Sequence, residues 1–146
     1  MAVNELQFQS ELIAAAVASG GHAVKLSHRY LSGVPDLWVK LPGLPGAMIE
    51  AKWIGASGYP VLTAPQREFL MADDAAGGVA GVVMATKTGP TSWEAGVFTM
   101  ERIKGRGPLR MSPKVMGFDA MLVTRERGKL WPIEKIVRHL RTGPRL

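Results

Sequence analysis

Gly33-Val34-Pro35-Asp36-Leu37-Trp38-Val39-Lys40-Leu41-Pro42-Gly43-Leu44-Pro45-Gly46-Ala47-Met48-Ile49-Glu50-Ala51-Lys52-Trp53 is the stretch on which the fold turns. Asp36 to Leu41 reads as a strand, and Ala47 to Ile54 as a second one. Pro42, Gly43, Pro45 and Gly46 between them read as a hairpin connection. Side chains alternate across a strand, so Glu50 and Lys52 point to one face. Ile49, Ala51 and Trp53 point to the other, into apolar packing. Asp36 opens the neighbouring strand, with thirteen residues between it and Glu50. Hairpin pairing brings its carboxylate beside that of Glu50, so two acids and an amine converge at the sheet edge.

Two close carboxylates repel, and one takes up a proton unless a cation balances them. Asp and Glu oxygens suit Mg²⁺, or Mn²⁺ in its place, with water and phosphate oxygens completing the shell. Asp36 and Glu50 are the expected ligands, and the Ala51 carbonyl is a further one. Such a metal lowers the pKa of a bound water and stabilises charge on phosphate. Lys52 then orients the water or stabilises the developing negative charge. An E-x-K triplet alone reads equally as a surface ion pair, and Pro-Asp alone is common in turns. The information lies in their combination on paired strands.

Working outward, Asn4 is the expected cap of a first helix, with Gln7 at the capping-box position and Gly20-Gly21 ending it after Ser19. Glu5, Gln9, Leu12 and Ala16 share one face of that helix. Residues 22–28 alternate as a strand, and Tyr30 to Val34 form a turn. After a loop from Gly55 to Leu62, Thr63 caps a second helix, with Pro65 in its first turn and Gln66 completing a capping box. It ends at Gly77-Gly78. Val79 to Thr86 is β-branched and apolar enough for a central strand. Beyond Lys87 the pattern suggests a short strand within Trp93 to Met100, a basic loop or arm over 101–117, a strand at Met121 to Thr124 and a last helix from Pro132 to Leu140. The class is α/β, a mixed central sheet flanked by helices.

A length of 146 residues with 47% hydrophobic content suits one domain with a modest core. No apolar run reaches the roughly 18 residues that span a bilayer, so no membrane is expected. No basic-then-apolar leader opens the chain, and cysteine is absent, which excludes disulfide scaffolds and thiolate zinc sites. A cytoplasmic location is expected, or one with host nucleic acid if the source is viral. The net charge of +6 is unevenly spread: residues 1–100 carry 6 Lys/Arg against 8 Asp/Glu, and residues 101–146 carry 12 against 4. A one-sided basic block suggests a polyanionic partner, nucleic acid first, although a solvated surface kept for solubility has the same composition.

Gly33-Val34-Pro35-Asp36 together with Ile49-Glu50-Ala51-Lys52 resembles the PD-(D/E)XK nuclease superfamily, and more narrowly its small VRR-NUC group. That group opens with a helix of the form E-x-x-F-Q, similar to Glu5-Leu6-Gln7-Phe8-Gln9 here. It places a glutamine in the helix after the E-x-K strand, similar to Gln66 in Thr63-Ala64-Pro65-Gln66. The resemblance covers about residues 4–86. It implies a restriction-endonuclease-like core, Glu5 near the metal site directly or through water, and Gln66 shaping that site. Glu11 competes with Glu5 for this role. The two lie six residues apart, so their faces differ by about 120° and both cannot point into one site. Phe8-Gln9, following Glu5 at the family spacing, favours Glu5.

The expected catalytic set is thus Glu5, Asp36, Glu50, Lys52 and Gln66. Residues 1–90 are expected to form the nuclease core, and 91–146 a basic C-terminal extension of the same single domain. Lys25, by family resemblance, and His28 with Arg29 are candidate phosphate contacts. Arg102, Lys104, Arg106 and Arg110 would give affinity without sequence reading. Trp38 shares the Asp36 face, where it either lines the cleft or simply packs. His139 is expected to face solvent. Short stand-alone members of the resembled group tend toward cutting Holliday junctions, so the expected function is Mg-dependent, structure-selective cleavage of branched DNA. The alternatives are a flap or nicking nuclease and a catalytically silent nucleic-acid-binding protein. A homodimer is expected because a symmetric junction needs two cuts, with Trp53, Trp93, Phe98 and Trp131 as apolar material for an interface.

Overall fold

The computed structural model describes residues 3–26, 33–55, 61–104 and 121–142. Their elements, in chain order, are α1 (Val3–Ala18), β1 (His22–Lys25), β2 (Leu37–Lys40), β3 (Ala47–Trp53), α2 (Ala64–Ala75), β4 (Val79–Gly89), β5 (Ser92–Thr99), α3 (Met100–Lys104), β6 (Met121–Glu126) and α4 (Ile133–Thr142). The strands form one mixed sheet in the spatial order β1-β2-β3-β4-β5-β6. Every neighbouring pair is antiparallel except β3 and β4, which run parallel with Glu50 beside Val82 and Lys52 beside Met84. A parallel pair needs a crossover, and α2 supplies it. The class is α/β with helices on the sheet, as the patterning predicts.

The sheet is covered on both faces, and β4 shows why its sequence is a continuous apolar run. Val83 and Ala85 join Phe8, Leu12, Ala16, Ile49, Ala51, Val97, Ile136 and Val137 under α1 and α4. Val82 and Met84 point the other way and pack with Leu70, Phe98 and Ile103 under α2 and α3. Gln9 is buried on the sheet-facing side of α1 together with Phe8 and Leu12. No helix of the described residues is long and apolar enough to cross a membrane.

Several boundaries differ from the sequence reading. Helix α1 begins at Val3, so Asn4 lies inside its first turn; Gln7 donates to Glu11 one turn on. Strand β1 stops at Lys25, although the Leu26 N–H still reaches the Asp36 carbonyl at 2.8 Å. Strand β4 runs on to Gly89 through a bulge near Lys87 and turns back into β5, which starts at Ser92. Residues 101–104, read as the start of a loop or arm, belong to a short helix that begins at Met100, because Met100 and Ile103 bury against the second core. Residues beyond 91 therefore contribute strands β5 and β6 and helices α3 and α4 to the same sheet and its cores. His139 is half-buried and not simply solvent-facing, and burial pushes its imidazole pKa down.

The aromatic residues expected at an interface are largely spent inside the chain. Trp131 and Phe98 are buried, and Trp131 meets Phe8 edge-on at 5.3 Å. Trp53 and Trp93 are half-buried. Trp38 packs on the His22 ring at 5.3 Å and lies across Gly46, where a Cβ would meet its indole nitrogen at 2.5 Å. Packing, not cleft lining, accounts for that residue.

Candidate active site

The hairpin of β2 and β3 pairs Leu37 with Ile49, which leaves Asp36 one residue further on, alongside Glu50. The Asp36 Oδ2 accepts the Ala51 N–H at 2.9 Å. The N–H and C=O of one strand residue point to the same side, so the Ala51 carbonyl also faces the Asp36 side of β3. The turn leading to Asp36 rests on the start of α2. Gly33 has φ +86°, and a Cβ there would lie 2.3 Å from the Pro65 carbonyl oxygen. Only glycine allows both that backbone angle and that approach.

The start of α2 is fixed by a capping box. The Thr63 Oγ1 accepts the Gln66 N–H at 3.3 Å, and the Gln66 Oε1 accepts the Thr63 N–H at 3.0 Å. The same carboxamide reaches into the acid cluster. Its Oε1 also accepts from Lys52 Nζ at 3.0 Å, and its Nε2 donates to Glu50 Oε1 at 3.3 Å. Lys52 Nζ lies 3.7 Å from the same Glu50 oxygen. Gln66 thus ties together a helix cap, an ammonium and a carboxyl group.

Glu50 is 2% exposed and Lys52 8%. Burial, then the Asp36 charge and a hydrogen bond with Asp36, push the Glu50 carboxyl up to about 9, against the pull of Lys52. Glu5 is half-buried at the start of α1; burial raises its pKa, Lys52 opposes this, and Asp36 adds to it. Glu5, Asp36, Glu50 and Lys52 therefore lie within electrostatic reach of one another. Three carboxyl groups face one ammonium, a set that attracts a further cation.

The chemistry of this set fits a hard divalent ion. Glu50 Oε2 is buried and accepts from no donor, so in its ionised form it is left for such an ion to satisfy. Among the described residues no three His, Asp or Glu side chains gather into a ready-made cage. The available donors are the Asp36 and Glu50 carboxylates and the Ala51 carbonyl. This suits Mg²⁺, which commonly keeps waters and takes one or two protein carboxylates plus phosphate oxygens.

Glu11 is engaged elsewhere. It accepts the Trp131 indole N–H at 3.0 Å and pairs with Arg125 at 3.3 Å. This network, invisible in local spacing because Trp131 lies 120 residues away, orients Glu11 toward the C-terminal segment. Glu5 remains with the acid cluster.

The candidate phosphate contacts divide. Lys25 is exposed at the end of β1, paired in register with Leu37 and so next to Asp36. Arg102 is exposed on α3. Lys104 is exposed too, but its ammonium is bound to Asp74 on α2. His28, Arg29, Arg106 and Arg110 lie outside the described residues.

No family model matches the sequence, and no curated protein matches it. The fold does have counterparts among solved structures. One is Hjc, a Holliday junction resolvase from the archaeal hyperthermophile Archaeoglobus fulgidus, with a TM-score of 0.58 and 18% sequence identity; the match covers 79% of this chain and 93% of that chain. At that identity the likeness is one of fold.

Proposed function

We propose that this chain is a metal-dependent nuclease of the PD-(D/E)XK kind, close to the VRR-NUC group, that hydrolyses DNA phosphodiester bonds. The observation that carries the reading is the buried cluster of Glu50, Lys52 and Gln66 beside Asp36, with one buried Glu50 oxygen that accepts from no donor. A protein that only bound nucleic acid would gain nothing from burying acids beside a phosphate site. The shared fold with a Holliday junction resolvase supports the same reading and favours branched DNA as substrate.

Asp36, Glu50 and the Ala51 carbonyl would hold Mg²⁺, with Mn²⁺ as a substitute. When bound, the ion supplies positive charge to a phosphate oxygen and acidifies water. The remaining work falls to the side chains. Lys52, held by Gln66, presents a fixed ammonium to the attacked phosphate and stabilises the charge that develops there. Glu5 acts from the rim, directly or through water. Lys25 and Arg102 hold the phosphate backbone, supplying affinity without reading sequence.

The test is to incubate labelled four-way-junction, flap and linear duplex DNA with the protein in Mg²⁺, Mn²⁺ or EDTA. Cleavage with either metal, none with EDTA, and preference for the junction are expected. Cleavage of flaps or nicking alone would keep the nuclease and drop the junction. Binding without cleavage under every condition would leave a catalytically silent nucleic-acid-binding protein.

A further inference from the structure

A cleft of about 540 Å³ lies at the C-terminal end of the parallel β3–β4 pair, and the proposed chemistry makes no use of it. Its walls include Asn4, Gln7 and Glu11 of α1, Trp53 at the end of β3, Lys87 of β4 and Trp93 of β5. Trp53 follows Lys52 directly, and Asn4 precedes Glu5. The cleft and the acid cluster thus share the start of α1 and the end of β3, with Trp53 on the opposite face of β3 from Lys52.

The lining has two kinds of group. One is aromatic: the half-buried indoles of Trp53 and Trp93, with Phe8 behind Trp53 at 6.3 Å. The other is cationic. Lys87, Trp93 and Arg125 sit opposite one another on adjacent strands, and the Trp93 ring is flanked by the Lys87 ammonium at 5.9 Å and the Arg125 guanidinium at 4.6 Å. Arg125 neutralises Glu11, the acid of the wall. Lys87 is exposed and makes no ion pair among the described residues, so the wall keeps a positive surplus. Asn4 and Gln7 add exposed amides that can donate and accept.

We propose that this cleft takes one unpaired nucleotide of the DNA next to the cut bond, its base against the Trp53–Trp93 wall and its phosphate at Lys87. The inference rests on the nuclease reading and gives a physical source for selectivity toward branched DNA. Aromatic stacking accepts any base, because every base has a π-face. Extracting a base from intact duplex costs a few kcal/mol, and least where the base is already unpaired. A cleft filled only by an unpaired nucleotide thus favours branch points whose bases are unpaired or whose pairs open readily over plain duplex, without base-specific contacts.

The test places 2-aminopurine at the unpaired position of a branched DNA and follows its fluorescence on binding in EDTA, so that cleavage plays no part. The wild type is expected to quench the probe. Trp93→Ala should lose the quench and weaken branched-DNA affinity about 10-fold, the scale of one lost stacking partner. Trp93→Phe should restore most of both, and affinity for plain duplex should hold in each variant. Lys87→Ala, at an exposed site that threatens no core, should weaken branched-DNA binding alone and serves if Trp93→Ala fails to fold. An unquenched probe on the wild type, or Lys87→Ala and Trp93→Phe binding junction and duplex with equal loss, would overturn the proposal. If the wild type cuts no DNA in Mg²⁺ yet quenches the probe, the nuclease reading fails and the nucleotide site stands.

Discussion

At Glu50 a single buried carboxyl links stability, metal affinity and pH. Its pKa of about 9 in the folded chain lies above the ordinary value of 4.5. Below about 4.5 the group is protonated in folded and unfolded chains alike, and the stability tied to that proton is fully present. As pH rises toward 9 the unfolded chain gives up the proton and the folded chain keeps it, so stability drains until the folded group also ionises. In EDTA the urea midpoint should therefore fall steadily across that window, and Glu50→Gln, which mimics the neutral acid, should flatten the fall. An equal slope in the variant would place the titration elsewhere. Because Mg²⁺ needs the ionised form, calorimetry at neutral pH should show proton release on binding, with tighter binding as pH rises. Lys52 has a separate effect: Lys52→Ala should lower turnover at least about 100-fold, the scale of one lost preorganised charge, while metal binding survives. Loss of metal binding without a specific rate effect would make it a structural lysine.

At the scale of elements, the site is a junction of the β2–β3 hairpin with the first turns of α1 and α2. Gly33 carries that junction, since any side chain there would run into the Pro65 carbonyl. Gly33→Ala should cost about 1–3 kcal/mol from its positive φ alone, with the clash added. It should also shift Asp36 and Gln66 together, so activity should fall by more than stability explains. A variant of wild-type rate and midpoint would contradict this coupling. Much of this arrangement was legible beforehand. Period-two alternation on β3 set Glu50 and Lys52 on one face, and the Thr63–Gln66 capping box marked the start of α2. What was hidden was that Gln66 serves the cap and the acid cluster at once, because capping rules describe only the local backbone. Helix α3 was hidden for a related reason: its residues are basic, and burial of Met100 and Ile103 outweighs that composition. The role of Glu11 depends on Trp131 and Arg125, partners far along the chain that no spacing rule reveals.

At the scale of the whole molecule, the described residues of the basic C-terminal third are woven into the fold as α3, β6 and α4. Ile103 is fully buried, so deleting residues 101–110 would remove core together with charge. Neutralising Arg102, Arg106 and Arg110 is the cleaner change. It should weaken DNA binding uniformly across sequences and flatten log K against log salt by up to about 0.9 per lost phosphate contact. Lys104→Ala should change the slope less, because Asp74 already holds that ammonium; an unchanged slope in the triple variant would remove this surface from the DNA. The homodimer now rests on the need for two matched cuts, since Trp131 and Phe98 are buried within the chain. Light scattering at micromolar concentration should return twice the chain mass, whereas a strict monomer that still cuts would favour a flap or nicking activity.

The most direct measurement of the central claim compares Mg²⁺-dependent cleavage of labelled junction DNA by the wild type, Asp36→Ala and Glu50→Ala, with binding measured in parallel. The wild type should cut, both variants should lose cleavage, and both should bind DNA in EDTA at least as tightly, because Asp36→Ala removes a negative charge near the phosphate and Glu50→Ala a carboxyl that keeps its proton up to about pH 9. Full cleavage by either purified, folded variant would contradict the assignment of Asp36 and Glu50 as the metal-holding pair.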